Sequence, residues 1–240
     1  MSKLIDQVVI KKHFCGPPNS GNGGYVCGVL ARYLEGTVEI TLRIPPPLDK
    51  VLDIIQTEEG FRMMDGEQLV ASAKTATLEL EIPAAPNFEQ AVAASKNYKG
   101  FQHHHFNTCF VCGPTRRAGE GLQLYAGNFG EKNKVATPWI PYDELFDEND
   151  LLKEVYYAAA LDCPGYFSLI EEELLVLVLG RMTRTIKSKI KKGERLVVMG
   201  WKLASEGRKH FCGTAIIGEN GELKAYAKST WIEIKLENVK

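Results

Sequence analysis

Apolar and polar positions alternate from Gly36 to Ile44, through Val38, Ile40 and Leu42, a period of two that predicts a half-buried strand. The prolines Pro45, Pro46 and Pro47 end it, and Val51 to Gln56 resumes the strand pattern. The second half follows the same plan. Leu174 to Ile190 reads as a strand, and its apolar run Leu174 to Leu179 fits one buried on both faces. Lys191-Lys192-Gly193-Glu194 forms a turn, and Arg195 to Ser205 is the next strand. One helix precedes each series. The first covers Gly23 to Leu34, entered through the glycine-rich stretch from Ser20 to Gly24, and the second runs from about Leu151 through Leu161, with Pro164-Gly165 as a kink or stop. Helices this apolar have to be buried, and a sheet wrapped around each one buries it.

The parallel extends to the strand ends. Asp65-Gly66 opens a segment that reaches Ala73-Lys74-Thr75 and then Leu78-Glu79-Leu80; Asn220-Gly221 opens one that reaches Ala227-Lys228-Ser229 and then Ile232-Glu233-Ile234. With one gap the two align. Asp-Gly and Asn-Gly supply the positive φ angles of a tight hairpin. The chain is therefore expected to be α+β, an internal duplication in which two antiparallel sheets each wrap a central helix. Ala84-Ala85-Pro86 and the polar stretch to Gly100 read as a linker, giving an N-terminal unit of residues 1–100 and a C-terminal unit of residues 101–240.

With 240 residues, 45% of them hydrophobic and 25% charged, such a core can be filled. A net charge of −1 gives no basic excess for nucleic acid. No apolar run has the length of a membrane span or signal peptide, so no membrane partner is expected and cytoplasmic residence is the default. In that compartment the six cysteines read as thiols or ligands rather than disulfides.

The residues that carry a resemblance are Gly23-Gly24 at a helix start, the segment from Thr108 through Cys109, Cys112 and Gly113 to Pro114, Gly121 to Leu124, and Ala160-Leu161-Asp162-Cys163-Pro164-Gly165. Together these resemble the hotdog superfamily, in particular its phenylacetyl-CoA-thioesterase-like branch of acyl-CoA thioesterases, arranged as a tandem (double) hotdog. The branch often shows a His-Gly-Gly helix start and an acidic residue about two turns later. Here Asn22-Gly23-Gly24 stands at the first helix start, but Ala31 stands where the acid would be. In the second half Asp162 supplies the acid, but Glu154 stands in the place of the helix-start glycines. In hotdog pairs the site lies between units, so the resemblance implies one complete site, Gly23 and Gly24 facing Asp162, and one degenerate site, Glu154 facing Ala31.

The implied reaction is hydrolysis of an acyl-CoA thioester, with coenzyme A as part of the substrate and no separate cofactor. Helix-start N–H groups would stabilise the oxyanion and Asp162 would act as base or nucleophile. A competing reading makes Asp162 the N-cap of a helix starting at Cys163-Pro164. Asn22, Tyr25, Tyr156 and Tyr157 are candidates to line the acyl site, and Arg116 and Arg117 to meet the phosphates of coenzyme A. No metal is expected; the residues that could hold zinc are Cys109, Cys112 and His105. A non-catalytic acyl or small-ligand binder, or a hydratase or dehydratase, would use the same scaffold. Open edge strands would allow a homo-oligomer.

Overall fold

A computed structural model describes residues 2–171, 175–235 and 237. Its strands are β1 (Lys3–Val9), β2 (Val38–Leu42), β3 (Val51–Thr57), β4 (Gly60–Asp65), β5 (Gln68–Thr75), β6 (Gly127–Asn128), β7 (Lys134–Trp139), β8 (Leu177–Ile186), β9 (Leu196–Glu206), β10 (Lys209–Gly218) and β11 (Leu223–Glu233). The helices are α1 (Gly23–Ala31), α2 (Phe88–Ser95), α3 (Glu154–Ala160) and α4 (Cys163–Leu169). All the strands form one antiparallel sheet in the order β1-β3-β4-β5-β2-β8-β11-β10-β9-β7-β6.

That order is a mirror image about its centre. Read outward from the β2–β8 seam, the first half runs β5, β4, β3, β1 and the second runs β11, β10, β9, β7, so these strands match one for one, and the two-residue β6 at the far edge of the second half is left without a counterpart. At the seam Val38 pairs with Arg184 and Thr41 with Arg181. The hairpins at Gly66 and Gly221 sit at equivalent places, and both glycines have positive φ, 59° and 82°.

A single core fills the space between the sheet and helices α1, α3 and α4. A second, smaller cluster lies on the opposite face of the second half, where Val197, Met199 and Trp201 of β9 meet Phe88 and Ala91 of α2. Their neighbours Leu196 and Val198 point into the main core, so the first part of β9 is buried on both faces.

Three expectations are corrected here. The presumed linker carries α2, which Asn87 and Gln90 start with reciprocal side chain to backbone hydrogen bonds of 2.8 Å each. The repeat strand of the first half stops at Thr75; Leu78, Leu80 and Ile82 leave the sheet and pack on the second half's outer face. β8 begins only at Leu177, and Leu174 lies outside the described residues. β1 was not foreseen, because Lys3–Val9 has no clean alternation to announce it.

Candidate active site

Helix α1 starts at Asn22, whose side-chain oxygen accepts the Tyr25 N–H at 2.8 Å. The helix then runs antiparallel to α3 at very close range. A Cβ on Gly24 would lie 2.5 Å from the Asp162 Cβ and 2.6 Å from the Ala158 carbonyl oxygen; one on Gly28 would lie 2.3 Å from the Val155 carbonyl oxygen. Glycine at these two positions is what lets the helix backbones touch.

Between α3 and α4 the chain breaks at Asp162, at φ −85° and ψ −82°, and Pro164 follows in the first turn of α4. Asp162 holds the N-cap position but makes no capping bond. Its carboxylate reaches across to α1 instead: Oδ2 accepts from the Asn22 Nδ2 at 2.7 Å and from the Gly24 N–H at 3.1 Å. The two sequence readings of Asp162 are thus separated by geometry, in favour of a contact between the halves. The pairing of the Gly23-Gly24 helix start with Asp162 is present as expected.

Asp162 is only 2% exposed, and among the described residues its Oδ1 has no hydrogen-bond partner. Burial, and then negative charge at Cys109, push its pKa up to about 7, against the pull of the Gly24 and Asn22 donors. A buried carboxylate with one bonded oxygen and one free oxygen is costly to keep, and such groups cluster at functional sites.

Asp162 opens onto a cavity of about 360 Å³, a size suited to a small ligand. The helix start lines one side with Asn22 and Gly23, and the seam strands line another with Leu42, Leu177 and Leu179. Tyr166 and Trp231 add aromatic surface. The connection between the halves closes the remaining side through His104, His105, Cys109 and Cys112. Both nitrogens of His104 are engaged, Nδ1 accepting from the Phe106 N–H at 2.9 Å and Nε2 lying 3.3 Å from the Cys112 sulfur.

Several sequence candidates lie outside these walls. Tyr25 stacks on Phe14 with ring centroids 3.9 Å apart, and Tyr157 accepts the Ile190 N–H at 2.7 Å. Tyr156 is buried near Tyr25 and Phe110 in the core. The Arg116 guanidinium is consumed by backbone, donating to the carbonyls of Thr108, Glu120 and His13 at 2.6–2.8 Å, and Arg117 is exposed on the same loop. Arginine's five donors suit it to tying a loop together as well as to phosphate. The exposed cation that does border the cavity is Arg43, which the sequence reading missed because it follows β2 with no motif around it. For zinc, His104 rather than His105 stands beside Cys112, and Cys163 joins Cys109 and Cys112 from the start of α4.

At the opposite end of the helix pair the arrangement differs. Lys153, at the N-cap of α3, makes no side-chain cap, and Glu154 turns toward Arg184 at 3.8 Å and Lys189 at 3.5 Å. Arg184 is almost fully buried, and its Nε and Nη2 have no hydrogen-bond partner among the described residues.

No family model matches the chain, and no curated protein matches it in sequence. Solved structures do match in fold. An acyl-CoA thioesterase II, TesB2, from Mycobacterium marinum aligns over 98% of this chain and 96% of its own, with a TM-score of 0.62 at 12% identity. A tesB protein of Mycobacterium avium subspecies paratuberculosis aligns over 91% of this chain and 89% of its own, with a TM-score of 0.60 at 13% identity. The resemblance to hotdog thioesterases drawn from the sequence therefore holds in three dimensions, as a likeness of fold. Among the described residues no helix is long and apolar enough to cross a membrane.

Proposed function

We propose that the chain is a double hotdog, two units meeting near residue 100, that hydrolyses acyl-CoA-type thioesters at one site between the units. The observation that carries the reading is the convergence of Asn22 and Gly24 on one oxygen of Asp162 at the wall of a largely apolar cavity. The acyl group occupies the apolar end near Leu179, Tyr166 and Trp231, and Arg43 meets a phosphate of coenzyme A at the rim. The fold likeness to acyl-CoA thioesterases supports this choice of substrate.

In this reading Gly24 has a different part from the one the sequence suggested. Its N–H holds Asp162, so the donor left for a developing oxyanion is the N–H of Gly23, which opens α1 and lines the cavity. The Oδ1 of Asp162 takes the proton of a water that adds to the thioester carbonyl carbon. Collapse of the tetrahedral intermediate breaks the C–S bond, and the thiolate leaves and is protonated. A carboxylate so placed can also attack directly and form an anhydride, which water then cleaves.

The test is release of free thiol from a panel of acyl-CoAs, with wild type beside Asp162→Asn. Release by wild type and loss of about 10²–10⁴-fold in the variant is the expected result. Acyl-CoA binding without turnover would replace it with the binder reading, which the occupied Gly24 N–H favours. A single turnover in ¹⁸O-labelled water followed by mass analysis of Asp162 separates the two routes, since only the anhydride route can leave label in the carboxylate.

A further inference from the structure

Two neighbouring cysteines and a third some fifty residues further along the chain meet beside the cavity. Cys109 and Cys112 come from the connection between the halves and Cys163 from the start of α4. All three are buried, and their sulfurs lie within 4.8 Å of one another, with Cys109 and Cys163 at 3.7 Å. Three thiolates on a tetrahedral zinc ion, with bonds of about 2.3 Å, would stand about 3.8 Å apart. The Cys109–Cys163 separation matches that spacing, and the Cys112 sulfur lies within reach of the same ion. The separation is much wider than that of a disulfide, whose sulfurs stand about 2.05 Å apart.

The local backbone supports the same reading. Cys109-Phe110-Val111-Cys112-Gly113 folds back on itself, the Gly113 N–H donating to the Cys109 carbonyl at 2.9 Å. Asn22 directs its amide at the Cys109 sulfur at 3.7 Å, the same amide that holds Asp162. A side-chain amide directed at a buried sulfur favours its thiolate, the form in which cysteine binds metal. His104 stands behind Cys112 with Nε2 at 3.3 Å; because its Nδ1 already accepts a backbone N–H, it is placed as a donor to that sulfur. Outer partners of this kind orient and neutralise metal-bound thiolates.

We propose that Cys109, Cys112 and Cys163 bind one zinc-class divalent ion, with His104 as a hydrogen-bonding partner of Cys112. The ion pins the connection between the halves to the start of α4, next to Asp162. Because all three cysteines line the cavity, the fourth position of a tetrahedral ion is left to solvent or to a ligand in the cavity.

The experiment needs no substrate, so its outcome is independent of the thioesterase reading. The full chain, purified without chelator, is assayed for bound metal by mass spectrometry, then stripped, kept reduced and titrated with Co²⁺. The expected results are one zinc-class ion per chain and a near-ultraviolet sulfur-to-cobalt band that saturates at one equivalent. Cys112→Ser should lower that band by about a third or abolish it, and His104→Ala should keep it while weakening affinity about 10–100-fold. Cys212→Ser, buried elsewhere in the second half, should change nothing. Absence of the band in reduced wild type overturns the proposal whether or not the variants fold. So does a band that survives at full intensity in both Cys109→Ser and Cys163→Ser.

Discussion

The two ends of the α1–α3 pair are related by the mirrored sheet order, yet their chemistry has diverged. At one end a carboxylate of the second half sits on a helix N-terminus of the first, next to a cavity. At the other, Ala31 occupies the corresponding place on α1, and Glu154 at the helix start is turned to Arg184 and Lys189. The contrast teaches that the fold provides two equivalent frames, and that side chains decide which of them can hold a reacting group. Buried cost is spent at both ends, on an aspartate at one and on an arginine at the other, but only the aspartate borders a cavity.

The comparison can be broken most forcefully at Gly24. Gly24→Ala forces a methyl to 2.5 Å from the Asp162 Cβ, and thermal denaturation should show a loss of about 3 kcal/mol together with loss of thiol release. If Gly24→Ala left stability and turnover intact, the close contact of the helices would have no part in the site. Next comes Asn22→Ala, which removes the 2.7 Å donor to Asp162 and the α1 cap at once. Turnover should fall about 10²–10³-fold, and stability by about 1 kcal/mol from the lost cap.

At the other end the expected effects shrink and change sign. Arg184→Met replaces an arginine whose Nε and Nη2 lack partners with an apolar side chain of similar length. Unfolding in urea should show a neutral effect or a gain of up to about 2 kcal/mol, with turnover unchanged. A strong loss of turnover there would mean that both ends serve the reaction. Glu154→Gln should be the mildest change, within about 0.5 kcal/mol, because its ion pairs are long and partly exposed.

Much of this arrangement was legible in the sequence, for identifiable reasons. The hairpin glycines and alternating strands pointed to the mirrored strand order, and the unequal placement of glycine pair and aspartate pointed to the contact between Gly24 and Asp162, because both depend on local residue choice. What could not be read depends on long-range packing. Tyr25 and Arg116 carry the right chemistry but face Phe14 and the backbone of the 108–120 loop. Arg43 and His104 sit in unremarkable sequence and reach the cavity only because the strand ends and the connection converge there. Cys163 could not be grouped with Cys109 and Cys112 from spacing alone, since its distance along the chain is closed only by the fold.

The β2–β8 seam has one further consequence. In an assembly of two identical chains, every substitution is made twice: an aspartate introduced for one cleft also appears in the other, and an arginine that fills one fills both. Here both halves of the sheet belong to one chain, joined through the Val38–Arg184 and Thr41–Arg181 pairs, so each position is under separate control. That lets the chain place a carboxylate at one helix start and a buried guanidinium near the other without imposing either on both.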